Sequence, residues 1–457
     1  MKYYSTRNNK IEKNFQDIVM GGLSPDKGLY LPKSWPKVNY QNLKGLNYDD
    51  LAFEIIYPFC SKDINEEDLR NILNITYKKF HHPKTAPLIK IDENKYILEL
   101  FYGPTFAFKD YALQFLGNLF EYFLKKEQKK LTIIGATSGD TGSAAIEACR
   151  LKKNIDLFIL YPHNKISEVQ RRQMTTVKDN NIHTIALRGN FDDCQKIVKN
   201  LFVDRDLMSK TRIGAVNSIN WARIVSQSVY YYWAILQLKE VNKINFVVPS
   251  GNFGNVYAGH IATKMGLPID RLHVVTNAND ILYRSITSGH MKLKNVKKTY
   301  SPSMDIQISS NFERQLFESV NCDSNILKFI MDNFLNKGEY NLDKDVVEEL
   351  SKNYSAYSVN DKEILNTIKQ YFDKYKYLAD PHTATGLNIL EKISNKNSIY
   401  INLACAHPSK FSEAIVKATK KEPLMPDTLK NIFEKKEKIT ILNNNLNDIK
   451  EHILSKI

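Results

Sequence analysis

The spacing of apolar residues changes near residue 90 and divides the chain into two parts. In residues 1 to 88 apolar side chains recur at helical intervals, as in 51–59 and 69–77, and Gly21-Gly22 and Gly28 mark turns. The segment 83–87, with a proline at each end, has the composition of a linker. We therefore predict a mainly helical N-terminal unit over residues 1–88.

From about residue 95, short apolar or β-branched runs alternate with amphipathic segments of helix length. The predicted strands are 96–101, 131–134, 157–161, 182–187, 245–248, 272–276 and 398–403, and the predicted helices are 110–126, 141–151, 166–177, 221–238 and 255–265. Such alternation is typical of an α/β protein with a mostly parallel sheet covered by helices. Ligands bind at the carboxyl ends of the strands in such sheets.

The α/β pattern predicts one large catalytic region and two further segments. We assign residues 89–423 to the α/β region and 312–376, which is charged and helix-patterned, to a helical insertion within it. The polar, Asn- and Lys-rich residues 424–457 are predicted to form a small helical tail. The apolar 221–238 segment is interpreted as a buried core helix.

Composition favours an ordinary globular protein of a reducing, cytoplasmic compartment. Of 457 residues 43% are hydrophobic, and no apolar run approaches the roughly 18 residues needed to cross a bilayer. The first residues lack the apolar region of a secretory signal. The five cysteines are widely spaced, and neither a Cys-x-x-Cys nor a His-x-x-x-His pattern occurs, so we expect neither a disulfide framework nor a metal site.

The formal charge of +14 raises the possibility of a polyanionic partner. The basic residues are dispersed in short pairs such as Lys125-Lys126 and Lys420-Lys421, which is typical of a solvated surface. We therefore predict no nucleic-acid partner and no membrane partner. A non-enzymatic basic binding protein remains the alternative that the charge alone suggests.

The segment Gly103-Pro104-Thr105-Phe106-Ala107-Phe108-Lys109-Asp110 places one lysine in an aromatic, largely apolar turn. A poorly hydrated ammonium favours its neutral form, and a neutral amine can form a Schiff base with a carbonyl cofactor. The alternative is a lysine whose stem packs on apolar residues while its head reaches water. On this segment alone the alternative is the better interpretation.

Two further loops each follow a predicted strand and precede a predicted helix. Ser250-Gly251-Asn252-Phe253-Gly254-Asn255 carries glycines whose amides, with the helix amino end, suit a phosphate. Thr137-Ser138-Gly139-Asp140-Thr141-Gly142 offers hydroxyls and backbone donors that suit a carboxylate. Each could instead be a simple turn, with an Asn cap in the first case and Asp140 or Thr141 as cap in the second. A reactive lysine with two such loops points to pyridoxal 5′-phosphate.

Six groups of motifs in the sequence resemble those of a known family. They are Gly22-Leu23-Ser24-Pro25-Asp26 with Gly28-Leu29-Tyr30-Leu31-Pro32, Gly103-Pro104-Thr105 with Phe108-Lys109-Asp110, Thr137–Gly142, Asn217-Ser218-Ile219-Asn220, Pro249–Asn255 and Ala406-His407-Pro408. Together and in this order they resemble the longer bacterial and fungal form of the threonine synthases, which are fold-type II (tryptophan-synthase-like) pyridoxal-phosphate enzymes. The resemblance spans nearly the whole chain. It implies two open, mostly parallel, helix-covered sheets.

The resemblance also implies roles for individual residues. Lys109 would be the Schiff-base and catalytic lysine. The cofactor would contact Ser250, Gly251, Asn252, Phe253, Gly254, Asn255, Asp140 and Cys405. The substrate would contact Thr137, Ser138, Thr141, Lys165, Asn217, Ser218, Asn220 and Arg223, the last five of these on its phosphate side. Arg223 is also interpretable as a surface arginine.

Three positions depart from the family pattern. Cys405 stands where the family usually has a threonine near the pyridine nitrogen, and a thiol is a weaker donor, so Ser409 or another group is an alternative partner. His163-Asn164 replaces a frequent Arg-Gly pair, and Lys27 replaces a common glycine.

The implied reaction is conversion of O-phospho-L-homoserine and water to L-threonine and phosphate. The alternative within pyridoxal enzymes is a lyase or dehydratase acting on serine, threonine or a phosphorylated relative. We expect a monomer or a homodimer, with closure of one domain over the site to control the entry of water.

Overall fold

The computed structural model describes residues 1–239, 241 and 243–457. Its N-terminal unit combines three α-helices with a small sheet. The elements of this unit are β1 (Tyr3–Ser5), β2 (Glu12–Lys13), α1 (Phe15–Gly21), β3 (Tyr30–Pro32), α2 (Tyr48–Cys60) and α3 (Glu66–Tyr77). The side chains of Asn14, Asn47 and Asn65 cap the three helices, which fixes where each begins. The three strands form a small antiparallel sheet in the order β2-β1-β3, which the sequence analysis did not predict.

The strand–helix alternation begins after this unit. Its first half comprises β4 (Leu88–Lys90), β5 (Lys95–Glu99), α4 (Lys109–Glu127), β6 (Leu131–Ala136), α5 (Asp140–Cys149), β7 (Ile155–Pro162), α6 (Glu168–Thr175), β8 (Ile182–Arg188), α7 (Phe191–Leu201), α8 (Arg205–Lys210), β9 (Ile213–Gly214) and α9 (Trp221–Leu236).

The second half carries the predicted insertion and the tail. It comprises β10 (Ile244–Pro249), α10 (Gly254–Lys264), β11 (Ile269–Thr276), α11 (Ile281–Ser288), β12 (His290–Lys292), α12 (Phe312–Ser319), α13 (Ser324–Lys337), β13 (Glu339–Asn341), α14 (Lys344–Asn353), β14 (Tyr354–Ser358), α15 (Asp361–Tyr375), α16 (Pro381–Ile393), β15 (Ile399–Ala404), α17 (Ser412–Thr419), α18 (Asp427–Lys430), β16 (Thr440–Asn443) and α19 (Leu446–Leu454). Each strand and helix predicted from the pattern occurs, with ends displaced by at most a few residues.

These elements form two main sheets. One has five strands in the order β16-β8-β7-β6-β9, all parallel. The other has six strands in the order β14-β11-β10-β15-β5-β4, parallel except for the β4–β5 pair. Helices α4 and α9 are buried along most of their length in the largest apolar core, which confirms that the 221–238 segment is a core helix. The predicted α/β architecture with two helix-covered sheets is confirmed.

Three strands lie in segments that the sequence analysis described only as helical, and one of them, β13, pairs with β12 in a small antiparallel sheet. Strand β14, within residues 312–376, forms the edge of the six-stranded sheet beside β11. Strand β16, within the tail, forms the edge of the five-stranded sheet beside β8. Both segments therefore complete a main sheet instead of lying outside it.

The sheet topology brings the predicted loops together. Strands β10, β15 and β5 are neighbours and run parallel, so their carboxyl ends lie at one edge of the six-stranded sheet. Loops 250–255, 405–411 and 100–108 start at this edge, and loop 137–142 starts at the carboxyl end of β6 in the other sheet. Among the helices of residues 1–239, 241 and 243–457, none combines the length and apolar character that a membrane span requires.

Candidate active site

Lys109 is the first residue of α4, and its backbone position is fixed by the turn that precedes it. Gly103 allows the turn to close, because a Cβ there would lie 2.4 Å from the Cβ of Asp110. The Asp110 carboxylate accepts hydrogen bonds of 2.8 Å from both the backbone N–H and the hydroxyl of Thr105. On the other side, the Phe108 N–H donates to the Cys405 carbonyl at 2.8 Å. The amino end of α4 is thereby held between its own turn and the loop after β15.

The Lys109 ammonium belongs to a buried charge cluster. Its Nζ lies 3.6 Å from Oδ2 of Asp140, and Lys410 Nζ lies 2.8 Å from Oδ1 of the same carboxylate. Lys410 is fully buried and also donates to the Thr105 carbonyl at 2.8 Å. Gln170 Nε2 donates to Asp140 at 2.9 Å. One carboxylate thus faces two lysines.

This arrangement sets the protonation states of the cluster. Burial would raise the pKa of Asp140, but the charges of Lys410 and Lys109 hold that pKa well below its ordinary value. Burial lowers the pKa of Lys109, and the Lys410 charge lowers it further, against the opposing effect of Asp140. Asp140 stays ionised, while a larger fraction of the Lys109 amine is neutral and able to act as a nucleophile and proton acceptor.

The 137–142 loop is organised mainly by its own atoms. The Thr137 hydroxyl accepts hydrogen bonds from the N–H groups of Gly139 and Gly142, at 3.0 and 2.8 Å. Gly139 has a φ of 142° and precedes α5 without a side-chain cap, so the interpretation of Asp140 or Thr141 as the cap was wrong. Ser138 and Thr141 are half-buried in this loop. Thr137 therefore shapes the loop.

The 250–255 loop has the opposite character, because it holds polar groups without partners. Phe253 adopts a left-handed φ of 61° and precedes α10 without a side-chain cap, so the alternative interpretation of a turn with an Asn cap is wrong. Asn255 lies inside α10, where its Oδ1 accepts from the hydroxyls of Tyr230 and Tyr231, at 2.6 and 3.0 Å. Its buried Nδ2 has no hydrogen-bond partner among the described residues. An uncapped helix start and an unpaired amide donor fit a phosphate.

The remaining residues of this loop hold it in place. The Ser250 hydroxyl accepts from the Phe253 N–H at 3.2 Å. The Gly251 carbonyl accepts from the Ser309 hydroxyl at 2.7 Å, and the Asn252 carbonyl accepts from the Asn311 N–H at 3.1 Å. The loop is thus fixed by the segment that leads into α12.

The predicted phosphate contacts of the substrate have different surroundings. Arg223 is buried, and its Nε and Nη1 have no partner among the described residues. Burial lowers the pKa of its guanidinium to about 10, which leaves it charged at neutral pH. Its charge is close enough to lower the pKa of Lys109. The interpretation of Arg223 as a surface arginine is wrong, because its side chain is buried.

The other candidates for this role are less uniform. Asn217 has an unpaired buried Oδ1 in the described structure, whereas both ends of the Asn220 amide are occupied by the Val19 carbonyl and the Ala222 N–H. The Ser218 carbonyl accepts from Asn311 Nδ2 at 3.1 Å. Lys165 is exposed in the loop after β7.

Cys405 stands close to the charge cluster. Its thiol is buried, its Sγ lies 3.8 Å from the Leu403 carbonyl, and burial raises the pKa of the thiol well above its ordinary range. Ser409, the alternative partner for a ring nitrogen, instead shares a 2.7 Å hydrogen bond with His407. The sequence analysis gave no role to Lys410 or Gln170, although Lys410 directly follows the Ala406-His407-Pro408-Ser409 segment.

The residues present fit a cofactor that has both an aldehyde and a phosphate. Lys109 supplies an amine whose pKa is lowered, and the 250–255 loop supplies buried donors without partners. The ion pair of Asp140 with Lys410 provides fixed charge beside the Lys109 amine. These features match the chemistry of pyridoxal phosphate.

Three family models match consecutive parts of the chain. Residues 2–77 match "Threonine synthase N terminus", residues 81–323 match "Pyridoxal-phosphate dependent enzyme", and residues 383–453 match "Threonine synthase, C-terminal".

Similar proteins agree with these matches over full length. The chain is 44% identical to a threonine synthase of Pseudomonas aeruginosa, covering 98% of this chain and 96% of that protein. A crystal structure of threonine synthase from Brucella melitensis, with pyridoxal phosphate bound, superimposes with a TM-score of 0.97 at 40% identity and covers 100% of this chain and 99% of that one. The yeast threonine synthase structure gives a TM-score of 0.96 at 39% identity, with 100% and 98% covered.

Proposed function

The chain belongs to the threonine synthase family of pyridoxal-phosphate-dependent enzymes, and we propose that its Lys109 site converts O-phospho-L-homoserine and water to L-threonine and phosphate. The observation that carries this proposal is the buried Lys109 amine beside the Asp140–Lys410 ion pair, at strand ends from which the 250–255 loop also starts. Other pyridoxal lyases or dehydratases are not favoured, because the full-length relatives from Pseudomonas aeruginosa, Brucella melitensis and yeast are threonine synthases.

The cofactor would be held from several sides. We assign its phosphate to Ser250, Gly251, Asn252, Phe253, Gly254 and Asn255, and its ring surroundings to Asp140 and Cys405. When bound, pyridoxal phosphate condenses with amines through its aldehyde and accepts electrons from the substrate carbon atoms. The uncapped α10 and the unpaired Asn255 Nδ2 support this placement, because both present donors to an anion.

Lys109 would serve as the base that moves protons in the reaction. Its lowered pKa increases the fraction of neutral amine at physiological pH, and proton transfer is most efficient when the pKa lies near the working pH. Asp140 holds the amine through a contact of 3.6 Å, and Lys410 keeps that carboxylate ionised. The cluster therefore orients the amine without requiring it to stay charged.

The substrate would lie between the two loops. We assign its carboxylate to the 137–142 loop, where Thr137, Ser138 and Thr141 precede or begin the uncapped α5. Its phosphate is assigned to Arg223, supported by the free donors of this buried guanidinium, together with Asn217, Ser218 and Asn220. Lys165 follows β7, the neighbour of β6, and we propose that its exposed ammonium reaches the phosphate when the site closes.

The experiment that tests this function replaces Lys109 with alanine. The purified parent is expected to be yellow, to lose its visible absorbance on borohydride treatment with a label on Lys109, and to release phosphate and threonine from O-phospho-L-homoserine. Lys109→Ala should carry no covalent label and should lose at least about 10⁴-fold in kcat, because the nucleophile and base are both removed.

Lys95 provides a matched control. Its side chain is 11% exposed, as is that of Lys109, but it pairs with Glu391 at 2.8 Å at the start of β5. Lys95→Ala should keep colour, label and product. Formation of a 2-oxo acid instead of threonine would support the lyase alternative, and phosphate release by Lys109→Ala at the parental rate would contradict the proposal.

We further propose that the protein acts in a reducing cytoplasm as a monomer or homodimer, without a nucleic-acid partner. The five cysteines are all unpaired, and four of them are buried, which supports a reducing compartment. Light scattering of the purified chain tests the oligomeric state, and salt-dependent binding of a DNA duplex tests the absence of nucleic-acid affinity.

A further inference from the structure

A second buried polar cluster reaches the Lys109 amine through Ser303. The Ser303 hydroxyl, in a 3₁₀ turn over Pro302–Met304, lies 3.5 Å from Lys109 Nζ. The Ser303 N–H donates to Nε2 of His382 at 3.2 Å, and Nδ1 of His382 lies 2.8 Å from Oδ1 of Asp380. His382 and Asp380 are almost fully buried at the start of α16. The reaction as described above leaves this cluster without a role.

The hydrogen bonds specify one form of His382. An Nε2 atom that accepts from the Ser303 N–H must carry a lone pair, so the ring proton is on Nδ1 and is donated to Asp380. Protonation of Nε2 would replace the acceptor by a second donor and would break the contact with Ser303. The neutral ring is therefore the form that holds the Ser303 turn.

The other oxygen of Asp380 holds the opposite wall of the site. It accepts hydrogen bonds from the Thr383 hydroxyl and, at 3.2 Å, from the Ala406 N–H. The Thr383 hydroxyl in turn accepts from the Cys405 N–H at 2.8 Å. The Cys405 carbonyl accepts a hydrogen bond from the Phe108 N–H. The Asp380 carboxylate therefore fixes, through Thr383 and residues 405–406, the backbone that precedes Lys109.

The Ser303 turn is itself rigidly supported. Asp305 accepts hydrogen bonds from Thr299, Asn277 and Asn279, which tie the turn to the end of β11. The turn also packs on the 250–255 loop, because a Cβ on Gly251 would lie 3.2 Å from the Ser303 carbonyl. The hydroxyl is therefore presented to the amine from a fixed backbone.

We infer that Asp380 and His382 are positioning residues that hold the Ser303 hydroxyl against the Lys109 amine, where Ser303 acts as its hydrogen-bonding partner during proton transfer. This inference rests on the proposed function for its catalytic meaning. The charged and titratable groups facing the amine from other elements are Asp140, Lys410, Cys405 and Arg223. Among the described residues that contact the amine, Ser303 supplies a neutral hydroxyl oxygen that accepts from an ammonium and so stabilises the protonated amine.

Four single variants test separately the contacts that link Asp380, His382, Ser303 and Lys109. Ser303→Ala removes the hydroxyl and keeps the N–H donor. His382→Gln places an acceptor near the position of Nε2 and loses the donor to Asp380, whereas His382→Asn keeps a donor near Nδ1 and cannot reach Ser303. His260→Gln is the matched control, since His260 is a buried histidine paired with a carboxylate, Glu318, at 2.7 Å in the packing of α10 against α12.

The first measurement needs no catalysis. Lys109 in the cofactor-free, full-length chain is modified with fluorodinitrobenzene over a range of pH, and the modified peptide is quantified by mass spectrometry. Loss of the hydroxyl contact should move the midpoint of this titration about one pH unit toward acid in Ser303→Ala, because a hydrogen bond to a charged group is lost. His382→Asn should shift it in the same direction, His382→Gln should shift it less, and His260→Gln should match the parent.

The second measurement is steady-state kinetics of the holoenzyme. Ser303→Ala and His382→Asn should lose about 10- to 100-fold in kcat with KM for O-phospho-L-homoserine within about threefold of the parent, and the acid limb of the kcat profile should follow the labelling midpoint. An unshifted labelling midpoint in Ser303→Ala, or equal midpoints for His382→Asn and His260→Gln, would overturn the inference. If the labelling midpoint shifts in Ser303→Ala but the parent chain makes no threonine, the result would contradict the proposed function and leave the positioning intact.

Discussion

The two loops that start helices α5 and α10 occupy equivalent places in different sheets, yet they differ in whether their polar groups already have partners. Each follows the carboxyl end of a parallel strand, and neither helix has a side-chain cap. In the 137–142 loop the Asp140 carboxylate is already neutralised by Lys410 and bonded by Gln170. In the 250–255 loop the Asn255 Nδ2 has no hydrogen-bond partner among the described residues, and α10 starts without a side-chain cap.

The difference shows that one fold can hold both a polar site whose charge is already balanced and a polar site with an unpaired donor. In the 137–142 loop the Asp140 charge is balanced before any ligand binds, so the carboxylate can hold the Lys109 amine without rearrangement. The 250–255 loop keeps an unsatisfied buried donor that a bound phosphate would satisfy, so its stability should depend on the ligand. Substitutions in the first loop should therefore damage the fold, and substitutions in the second should damage cofactor binding.

The largest effect is expected for Asp140→Asn. It leaves the buried Lys410 ammonium without its counter-ion and should lower the free energy of unfolding by about 3–5 kcal/mol in urea titrations. The double variant Asp140→Asn with Lys410→Met should recover a large part of this loss, because it removes the unpaired charge. Glu348→Gln, which breaks the exposed pair with Lys344, is the control and should change stability by less than about 1 kcal/mol. Equal losses for Asp140→Asn and Glu348→Gln would contradict the picture of a completed charge cluster.

The pH dependence of stability should distinguish Asp140 from the neighbouring Asp110. Burial raises the pKa of Asp110 to about 6, against the hydrogen bonds from Thr105. A raised folded-state pKa means that the proton stabilises the fold, so this contribution is complete below pH 4 and is lost as the pH rises through about 6. The expected loss is about 3 kcal/mol, and Asp110→Asn should remove it, as measured by urea unfolding between pH 4 and 7.

Asp140 should give the opposite sign. Its folded-state pKa is held low, so its contribution is present at neutral pH and is lost only as the medium becomes more acidic than the ordinary carboxyl range. If Asp110→Asn and the parent had parallel stability curves between pH 4 and 6, the assignment of an unfavourably buried Asp110 charge would be incorrect.

These contrasts also mark what the sequence could and could not predict. Lys109 and both loops were predictable, because a lysine in an aromatic turn and glycines after buried strands are local signals. Lys410 was not assigned, since its pairing with Asp140 joins residues far apart in sequence and depends on how the two sheets meet. The unpaired state of Asn255 was equally hidden, because its other atom is occupied by tyrosines of α9.

The missed strands have a related physical reason. Strands β14 and β16 are short edge strands, and β16 alternates between half-buried and exposed side chains. An edge strand needs little apolar surface because its backbone pairs on one side only. Its pattern therefore does not stand out from the polar, helix-rich segments around it.

The open character of the 250–255 loop is tested by Asn255→Asp. The new side chain keeps an oxygen for the hydroxyls of Tyr230 and Tyr231 but replaces the free donor by a negative charge. We expect cofactor affinity to fall by about 100-fold, which corresponds to about 2.7 kcal/mol, while the unfolding free energy of the cofactor-free chain changes by less than about 1 kcal/mol.

The matched control for this charge change is Asn245→Asp. Asn245 is a buried residue near the amino end of β10, whose carboxyl end leads into the 250–255 loop. Its cofactor affinity, measured by absorbance titration, should stay within about threefold of the parent. A similar loss of affinity in both variants would mean that overall charge, and not the Asn255 donor, sets phosphate binding.

The smallest effects are expected from adding one methyl group to each loop. In Gly139→Ala the residue keeps a φ of 142°, which is strained for any side chain, and its Cβ would lie 2.4 Å from Gln170 Cδ. This should lower stability by about 1–3 kcal/mol and displace Gln170 from Asp140. In Gly251→Ala the Cβ meets the Met304 Cα at 3.1 Å without backbone strain, so the stability loss should be about 1 kcal/mol or less.

Cofactor affinity should rank these two variants in the reverse order. Gly251→Ala pushes the 250–255 loop and the Ser303 turn apart and should weaken cofactor binding about tenfold, whereas Gly139→Ala acts mainly on the fold. Gly21→Ala, at a position with nothing within 4 Å of the added atom, controls for the general effect of losing a glycine. If the two variants lost stability and affinity in the same proportion, the loops would not differ in kind, and the division between a completed charge cluster and an open anion site would have to be abandoned.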